Sequence, residues 1–190
     1  MRLLEVRAPA LALGSAQPID DVDMEVAGRL GVDVLTRHSG GGAVLLDPAA
    51  QIWIDVVIGR SDPLWRDDIG LAAQWLGEAW AAALADLGLS GVVHRGPMVA
   101  TPLSRVVCFA GLASGEVTVD GAKVVGISQR RTRAGARFQY SVPLAWDPER
   151  HAALLAPGIA RVGGSIDEVR VASVGTTAAD VRRAFLDALP

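Results

Sequence analysis

The sequence contains a single cysteine, Cys108, which has no second cysteine with which to form an internal disulfide bond. Its N-terminus has no apolar run long enough for a signal peptide followed by a cleavage site. No segment reaches the roughly 18 uncharged apolar residues of a membrane span, since the alanine-rich stretch around 71–87 carries Gln74, Glu78 and Asp86. These absences predict a cytoplasmic protein with no membrane role.

Positive charge is also in short supply. The 18 basic residues are outnumbered by 21 acidic ones, and the net charge of -3 argues against a protein that binds nucleic acid by neutralising phosphates. Four arginines nonetheless cluster at Arg130, Arg131, Arg133 and Arg137. A solvated hairpin face explains this cluster, and so does contact with a phosphate or an acidic partner protein.

Lysine occurs only once, as Lys123. It closely follows Asp120-Gly121, a dipeptide typical of a type I′ hairpin turn, and precedes the apolar residues Val124 and Val125. A compact ammonium group in this setting suits a phosphate or carboxylate that lies close to the backbone. The alternative interpretation is a solvated lysine on a hairpin.

Glycine, by contrast, is concentrated at one place, Gly40-Gly41-Gly42, which follows a predicted strand at 32–36. Glycine lacks a Cβ and adopts positive φ readily, so such a run can present successive N–H groups to an anion and let a ligand approach the backbone. A flexible turn is the other interpretation of the same residues.

Strand patterns joined by tight turns dominate the chain. Strands are predicted at 52–58, 106–109 and 137–144, with a hairpin at 116–128 and one clear amphipathic helix at 67–87. The strand at 43–46 is expected to pair with that at 52–58 around Asp47-Pro48. Because few helices alternate with strands, an α+β fold with a largely antiparallel sheet is predicted.

The glycine and lysine motifs together resemble the biotin/lipoate A/B protein ligase family, which includes lipoate-protein ligases and related octanoyltransferases. The matching segments are 37–44 and 121–130, with shorter matches at 14–17 and 94–96. The resemblance covers roughly residues 10–145. It implies a class II aminoacyl-tRNA-synthetase/biotin-ligase-like mixed, largely antiparallel sheet with flanking helices. With the chain length, it implies a single catalytic domain over 1–190 without an accessory C-terminal domain.

The resemblance also implies an activity: transfer of a lipoyl or octanoyl group to a lysine of a carrier, the lipoyl domain of a 2-oxoacid dehydrogenase or a glycine cleavage protein. Ligases of the family form an acyl-adenylate from lipoate or octanoate with ATP and Mg²⁺. Lys123 is then the catalytic cation. The residues that would bind the activated acyl group are Arg37, Ser39, Gly40, Gly41, Gly42, Ala43, Arg95, Gly126 and Ser128.

Two alternatives remain. One branch of octanoyltransferases uses a cysteine as the thioester nucleophile, and Cys108, shortly before the lysine hairpin, is similar in position. In this alternative the acyl carrier protein is the donor and ATP is not needed. A lone cysteine on an apolar strand is, however, also typical of a buried small hydrophobe. The other alternative is a non-catalytic acyl- or carrier-binding member, because Leu46 and Tyr140 stand where the family commonly has histidines.

Overall fold

The computed structural model describes residues 1–159 and 165–190. Its helices are α1 (Met24–Arg29), α2 (Ile69–Ala72), α3 (Gln74–Asp86), α4 (Pro148–Ala153) and α5 (Ala178–Asp187). Its strands are β1 (Arg2–Leu4), β2 (Ala10–Leu13), β3 (Asp33–Thr36), β4 (Val44–Leu46), β5 (Gln51–Gly59), β6 (Gly91–Val93), β7 (Val117–Val119), β8 (Ala122–Arg131) and β9 (Gly135–Pro143).

The strands form two sheets. The larger has six strands in the order β1-β5-β9-β8-β7-β6, and every neighbouring pair in it is antiparallel. The smaller has the order β3-β2-β4, with β2 parallel to β3 and antiparallel to β4. The prediction of an α+β fold with a largely antiparallel sheet is confirmed.

One face of the large sheet is covered by helices. Alternate residues of β5 and β9, such as Ile54 and its partner Tyr140, are fully buried on this face with residues of α3 and α5. Trp80 of α3 stacks on Phe185 of α5 with ring centroids 4.1 Å apart, and both rings contact Tyr140. This cluster is the main core, because large aromatic side chains dominate the apolar area buried there.

Several local predictions are confirmed. Asp120 and Gly121 both have positive φ, 50° and 73°, as a type I′ turn requires, and they join β7 to β8. The predicted strands at 52–58 and 137–144 correspond to β5 and β9. None of the helices among residues 1–159 and 165–190 is long and apolar enough to cross a membrane.

Three local predictions are wrong. The strands at 43–46 and 52–58 do not form a hairpin, because β4 pairs with β2 and packs in the smaller sheet. The helix predicted at 67–87 is divided into α2 and α3 at Ala73, where the backbone of Gly115 lies close. The strand predicted at 106–109 does not form: residues 106 and 107 link two short 3₁₀ helices, Pro102–Arg105 and Cys108–Ala110, and the second helix contains the rest.

Candidate functional site

Arg37 organises the glycine loop, which we define as residues 39–42. Its guanidinium Nη2 donates to the carbonyl oxygens of Gly40 at 2.6 Å and Gly42 at 3.0 Å, and its Nε donates more weakly to that of Ser39 at 3.4 Å. A planar guanidinium can hold several carbonyls at once, which an ammonium cannot do with the same geometry. Arg37 therefore shapes the loop, and its contact with an acyl group stays a prediction.

The segment at 14–17 supports the same loop from the other side. The Ser15 N–H donates to the Ser39 carbonyl at 2.9 Å. Gly14 packs so closely that a Cβ built on it would lie 1.8 Å from the Gly41 carbonyl oxygen. The Ser39 hydroxyl is buried and has no hydrogen-bond partner among the described residues, so the loop itself does not use its hydrogen-bonding capacity.

The loop leads directly to the cysteine. A Cβ on Gly42 would lie 2.4 Å from the Val107 nitrogen, so only glycine lets the two backbones come this close. The Ala43 N–H donates to the Val106 carbonyl, and the Cys108 N–H donates to the Ala43 carbonyl, both at 2.9 Å. The glycine loop is thus joined to the backbone of Cys108 by main-chain hydrogen bonds.

Lys123 holds the other side of Cys108. Its Nζ donates to the carbonyl oxygens of Cys108 at 3.1 Å and Gly111 at 2.9 Å, and it forms an ion pair with Glu116 Oε2 at 2.7 Å. Three acceptors match the three N–H donors of an ammonium group. The predicted solvated lysine is therefore wrong, because the side chain is only 5% exposed.

Glu116 is a site residue that the sequence analysis did not identify. Its carboxylate also accepts from the Ala113 N–H at 2.7 Å and the Ile127 N–H at 3.0 Å, and its side chain is 4% exposed. A buried charge needs this kind of pairing and hydrogen bonding. An acidic residue that opens a hairpin strand is the only sequence signal, and it does not specify the partner.

A bulge brings Lys123 to Gly126. The pairing shifts between Val117 and Thr118, which lie opposite Val125 and Lys123, so Val124 is an extra residue on β8. A Cβ on Gly126 would lie 3.5 Å from the Cε of Lys123. Simple alternation would place positions 123 and 126 on opposite faces; the bulge places them on the same one.

An apolar cavity begins at this point. It has a volume of about 440 Å³, includes Lys123 and Phe109 in its wall, and is otherwise lined mainly by apolar residues such as Val99, Leu103 and Leu112. The Nζ of Lys123 lies 5.2 Å from the centre of the Phe109 ring. A second cavity, of about 540 Å³, opens beside Gly41 of the glycine loop. Both volumes lie in the range typical of small-molecule sites.

Cys108 lies at the start of a 3₁₀ helix and is half-buried. It packs at the edge of an apolar cluster that also includes Phe109 and, among its partly buried members, Leu46 and Trp53. The predicted strand at Cys108 is wrong, because the residue belongs to a 3₁₀ helix. Its packing against apolar neighbours agrees with a small hydrophobe, and part of its surface is accessible.

The other predicted site residues lie further away. Ser128 is half-buried, two residues beyond Gly126 on β8. Arg95 follows β6 and forms an ion pair with Glu78 of α3 at 2.9 Å, with both side chains more than half exposed. Neither residue hydrogen-bonds to Lys123 in the described part of the chain, and their roles stay predictions.

The two positions where the family commonly has histidines differ in their location. Tyr140 is fully buried on the helix-covered face of the sheet, and its neighbour Ser141 lies opposite Gly126 on the other face. Leu46 packs in the cluster with Cys108. Only Leu46 therefore bears on the surroundings of the cysteine.

A buried imidazole, His151, lies near the end of the glycine loop. Burial lowers the pKa of His151 to about 4, while the Ala43 backbone and the charge of Asp147 oppose this shift. Neither ring nitrogen has a hydrogen-bond partner of good geometry among the described residues. The ring packs against Trp146 with centroids 4.9 Å apart. His151 was not among the predicted site residues. The one sequence feature that could have indicated its burial is its position on the apolar side of a short helix.

A family model described as the lipoyl protein ligase A/B catalytic domain matches residues 1–189. The chain belongs to this family. The predicted resemblance is thereby confirmed. A similar curated relative is the octanoyltransferase LipM of Clostridioides difficile (strain 630), 30% identical over 146 residues, which are 74% of this chain and 52% of the relative. The chain thus spans about half the length of that relative.

Solved structures show the same fold. A bi-partite lipoate protein ligase, described with its E2 lipoyl domain, from Thermoplasma acidophilum gives a TM-score of 0.74 at 18% identity, over 95% of this chain and 66% of its own. A lipoate-protein ligase A bound with ATP gives a TM-score of 0.73 at 21% identity, over 95% of this chain and 67% of its own. At these identities the likeness establishes the fold of this family member.

Proposed function

We propose that this chain is an octanoyltransferase that uses Cys108 as a thioester nucleophile. The observation that carries the proposal is the position of Cys108 between the two motifs: its N–H is bound by Ala43 and its carbonyl by Lys123. A nucleophile whose backbone is fixed on both sides presents its side chain in a defined direction. The name of the curated relative, an octanoyltransferase, supports the same interpretation.

The transfer takes place in two balanced steps. The Cys108 thiol loses its proton and attacks, as the thiolate, the carbonyl carbon of an octanoyl thioester on an acyl carrier protein. The donor carbon–sulfur bond breaks, and the departing carrier thiolate takes up one proton, which balances the proton lost by Cys108. The ε-amine of a lysine on a lipoyl carrier domain then attacks the octanoyl-Cys108 thioester. An amide bond forms and the Cys108 thiol is released, so neither step needs an oxidant or ATP.

The cavity beside Lys123 suits the acyl chain. Its wall includes Phe109, which directly follows the nucleophile, and aliphatic side chains such as Leu103 and Leu112. Burial of an aliphatic chain against these side chains contributes about 0.8 kcal/mol for each methylene removed from water.

An acyl-adenylate is the competing mechanism, and the residues present fit it less well. Lys123 already has a protein acceptor for each of its three donors, and Arg37 uses its Nε and Nη2 on the loop carbonyls. A phosphate at Lys123 would have to displace Glu116 or one of the two carbonyls. ATP and Mg²⁺ are therefore not required in the proposed reaction.

Transfer assays distinguish the candidates. The wild type and Cys108→Ser are each tested in two reactions. One contains octanoyl-acyl carrier protein and a lipoyl domain; the other contains octanoate, ATP, Mg²⁺ and the same lipoyl domain. The proposal predicts ATP-independent transfer from the carrier that the substitution abolishes. Transfer that needs ATP and survives the substitution would establish the ligase, and no transfer under either condition would favour a non-catalytic binding protein.

A further inference from the structure

The large sheet has a second face, opposite the one covered by α3 and α5, which we call the open face. Directly opposite residues on antiparallel strands share a face. Arg137 of β9 lies opposite both Val57 of β5 and Arg130 of β8, so all three residues are on the same face, which is the open face. Arg2 of β1 lies opposite Asp55, two residues before Val57, and is therefore on the same face.

Arg2, Arg130 and Arg137 line one cavity of about 390 Å³, which we call the arginine cavity. Arg2 and Arg130 are exposed, and neither forms an ion pair with a residue that the structure describes. Arg137 forms an ion pair with Asp55 alone among the described residues, and the distance from its Nε to the carboxylate is 3.7 Å. This Nε has no hydrogen-bond partner within the described ranges. Three guanidinium groups and one carboxylate leave a positive potential that suits an anion with several oxygens.

The same face of β8 extends from this cavity to the buried Gly126 of the site. Gly126, which lies beside Phe109 and Lys123, is four residues before Arg130 on the same strand and faces the same way. At a rise of about 3.3 Å per residue, the two positions are about 13 Å apart.

Polar side chains lie between the two ends. Ser128 and Gln139 are directly opposite each other on the open face, and both are half-buried. The Gln139 amide donates to the Asp55 carboxylate at 3.1 Å, which leaves its carbonyl as an acceptor. A ligand that crosses this stretch is therefore expected to carry polar groups in its middle, such as amides.

We propose that the arginine cavity binds the phosphate of the pantetheine arm that carries the octanoyl thioester in the proposed reaction, with this arm lying along the open face. Such an arm has a phosphate at one end, two amides in its middle and the thioester at the other end, in the order that the surface presents their partners. The inference rests on the proposed function, because it needs a thioester donor at Cys108.

The test compares octanoyl thioesters of pantetheine, phosphopantetheine and acyl carrier protein as donors in steady-state transfer to a lipoyl domain. The variant is Arg2→Ala/Arg130→Ala, which removes two exposed arginines without leaving an ion-pair partner behind. Arg133→Ala, an exposed arginine outside the cavity lining, is the matched control. For both phosphorylated donors, the double variant is expected to raise KM about tenfold, with kcat unchanged and no effect on octanoyl-pantetheine.

An equal rise in KM for pantetheine and phosphopantetheine thioesters, or no rise at all, would overturn the inference. A rise confined to acyl carrier protein would overturn it too, because the arginines would then contact the acidic carrier surface. If the wild-type protein is not acylated at Cys108 by octanoyl-pantetheine, this result would instead contradict the proposed function. In that case calorimetric binding of unacylated phosphopantetheine, expected to be about tenfold weaker in the double variant, still tests the arginine cavity.

Discussion

The ammonium group of Lys123 lies 3.1 Å from the carbonyl oxygen of Cys108, so the only lysine of the chain is hydrogen-bonded to the only cysteine. The lysine also binds Gly111, at the other end of the short turn that Cys108 begins. This arrangement assigns Lys123 a structural task beside Cys108 that the motif alone did not reveal. Its cation fixes the turn, and Glu116 keeps the cation in place.

The Lys123–Glu116 pair is expected to be strongly coupled. Lys123→Met leaves the Glu116 carboxylate buried without its counter-charge, and we expect the free energy of unfolding in urea to fall by about 3–5 kcal/mol. The double variant Lys123→Met/Glu116→Gln removes both charges and should lose clearly less than the sum of the two single variants. Strict additivity of the three measurements would show that the pair is not coupled.

Gly42 is expected to tolerate no side chain. In Gly42→Ala the new Cβ meets the Val107 backbone, so the glycine loop and the Cys108 segment must separate, at a cost of about 1–3 kcal/mol in unfolding free energy and most of the transfer rate. Gly40→Ala is the matched control, because a Cβ there meets nothing within 4 Å. Equal behaviour of the two variants in urea unfolding and transfer assays would contradict the close approach.

His151 should make the protein sensitive to acid. Burial holds the pKa of His151 at about 4 in the folded state, below the ordinary value of 6.5, so the unfolded chain binds its proton more readily. Stability from this group is present above about pH 6.5 and is lost as the pH falls towards 4, on the order of 3 kcal/mol in total.

Urea unfolding at a series of pH values checks this expectation. His151→Phe should flatten the decline in unfolding free energy between pH 6.5 and 4. The control is His38→Gln, which changes an exposed histidine and should leave this decline as it is in the wild type. A decline that is the same in all three proteins would assign the acid sensitivity to other groups.

Local features of the fold could be predicted from the sequence, whereas longer-range pairings could not. The Asp120-Gly121 turn was predictable because both residues favour positive φ, and β5 because its β-branched residues form one run. The pairing of β4 with β2 was not, because a short apolar strand does not specify its partner. The helix is divided at Ala73, where the backbone of Gly115 lies close although it is about forty residues away in the sequence.

The candidate site follows the same rule. The glycine loop and Lys123 were identifiable from two short motifs. The role of Glu116 was not, because it depends on the bulge at Val124, which changes the face to which Lys123 points. Whether Tyr140 faced the site depended on the register of β9, which directs its side chain towards the helices.

The intact mass of the protein, after brief reaction with octanoyl-acyl carrier protein and an acid quench, tests most directly whether Cys108 carries the acyl group. We predict a mass increase of one octanoyl group without ATP. Hydroxylamine should remove this group, an added lipoyl domain should accept it, and Cys108→Ala should not acquire it. An unmodified protein that still octanoylates the lipoyl domain, or an adduct that persists in Cys108→Ala, would contradict a thioester at Cys108.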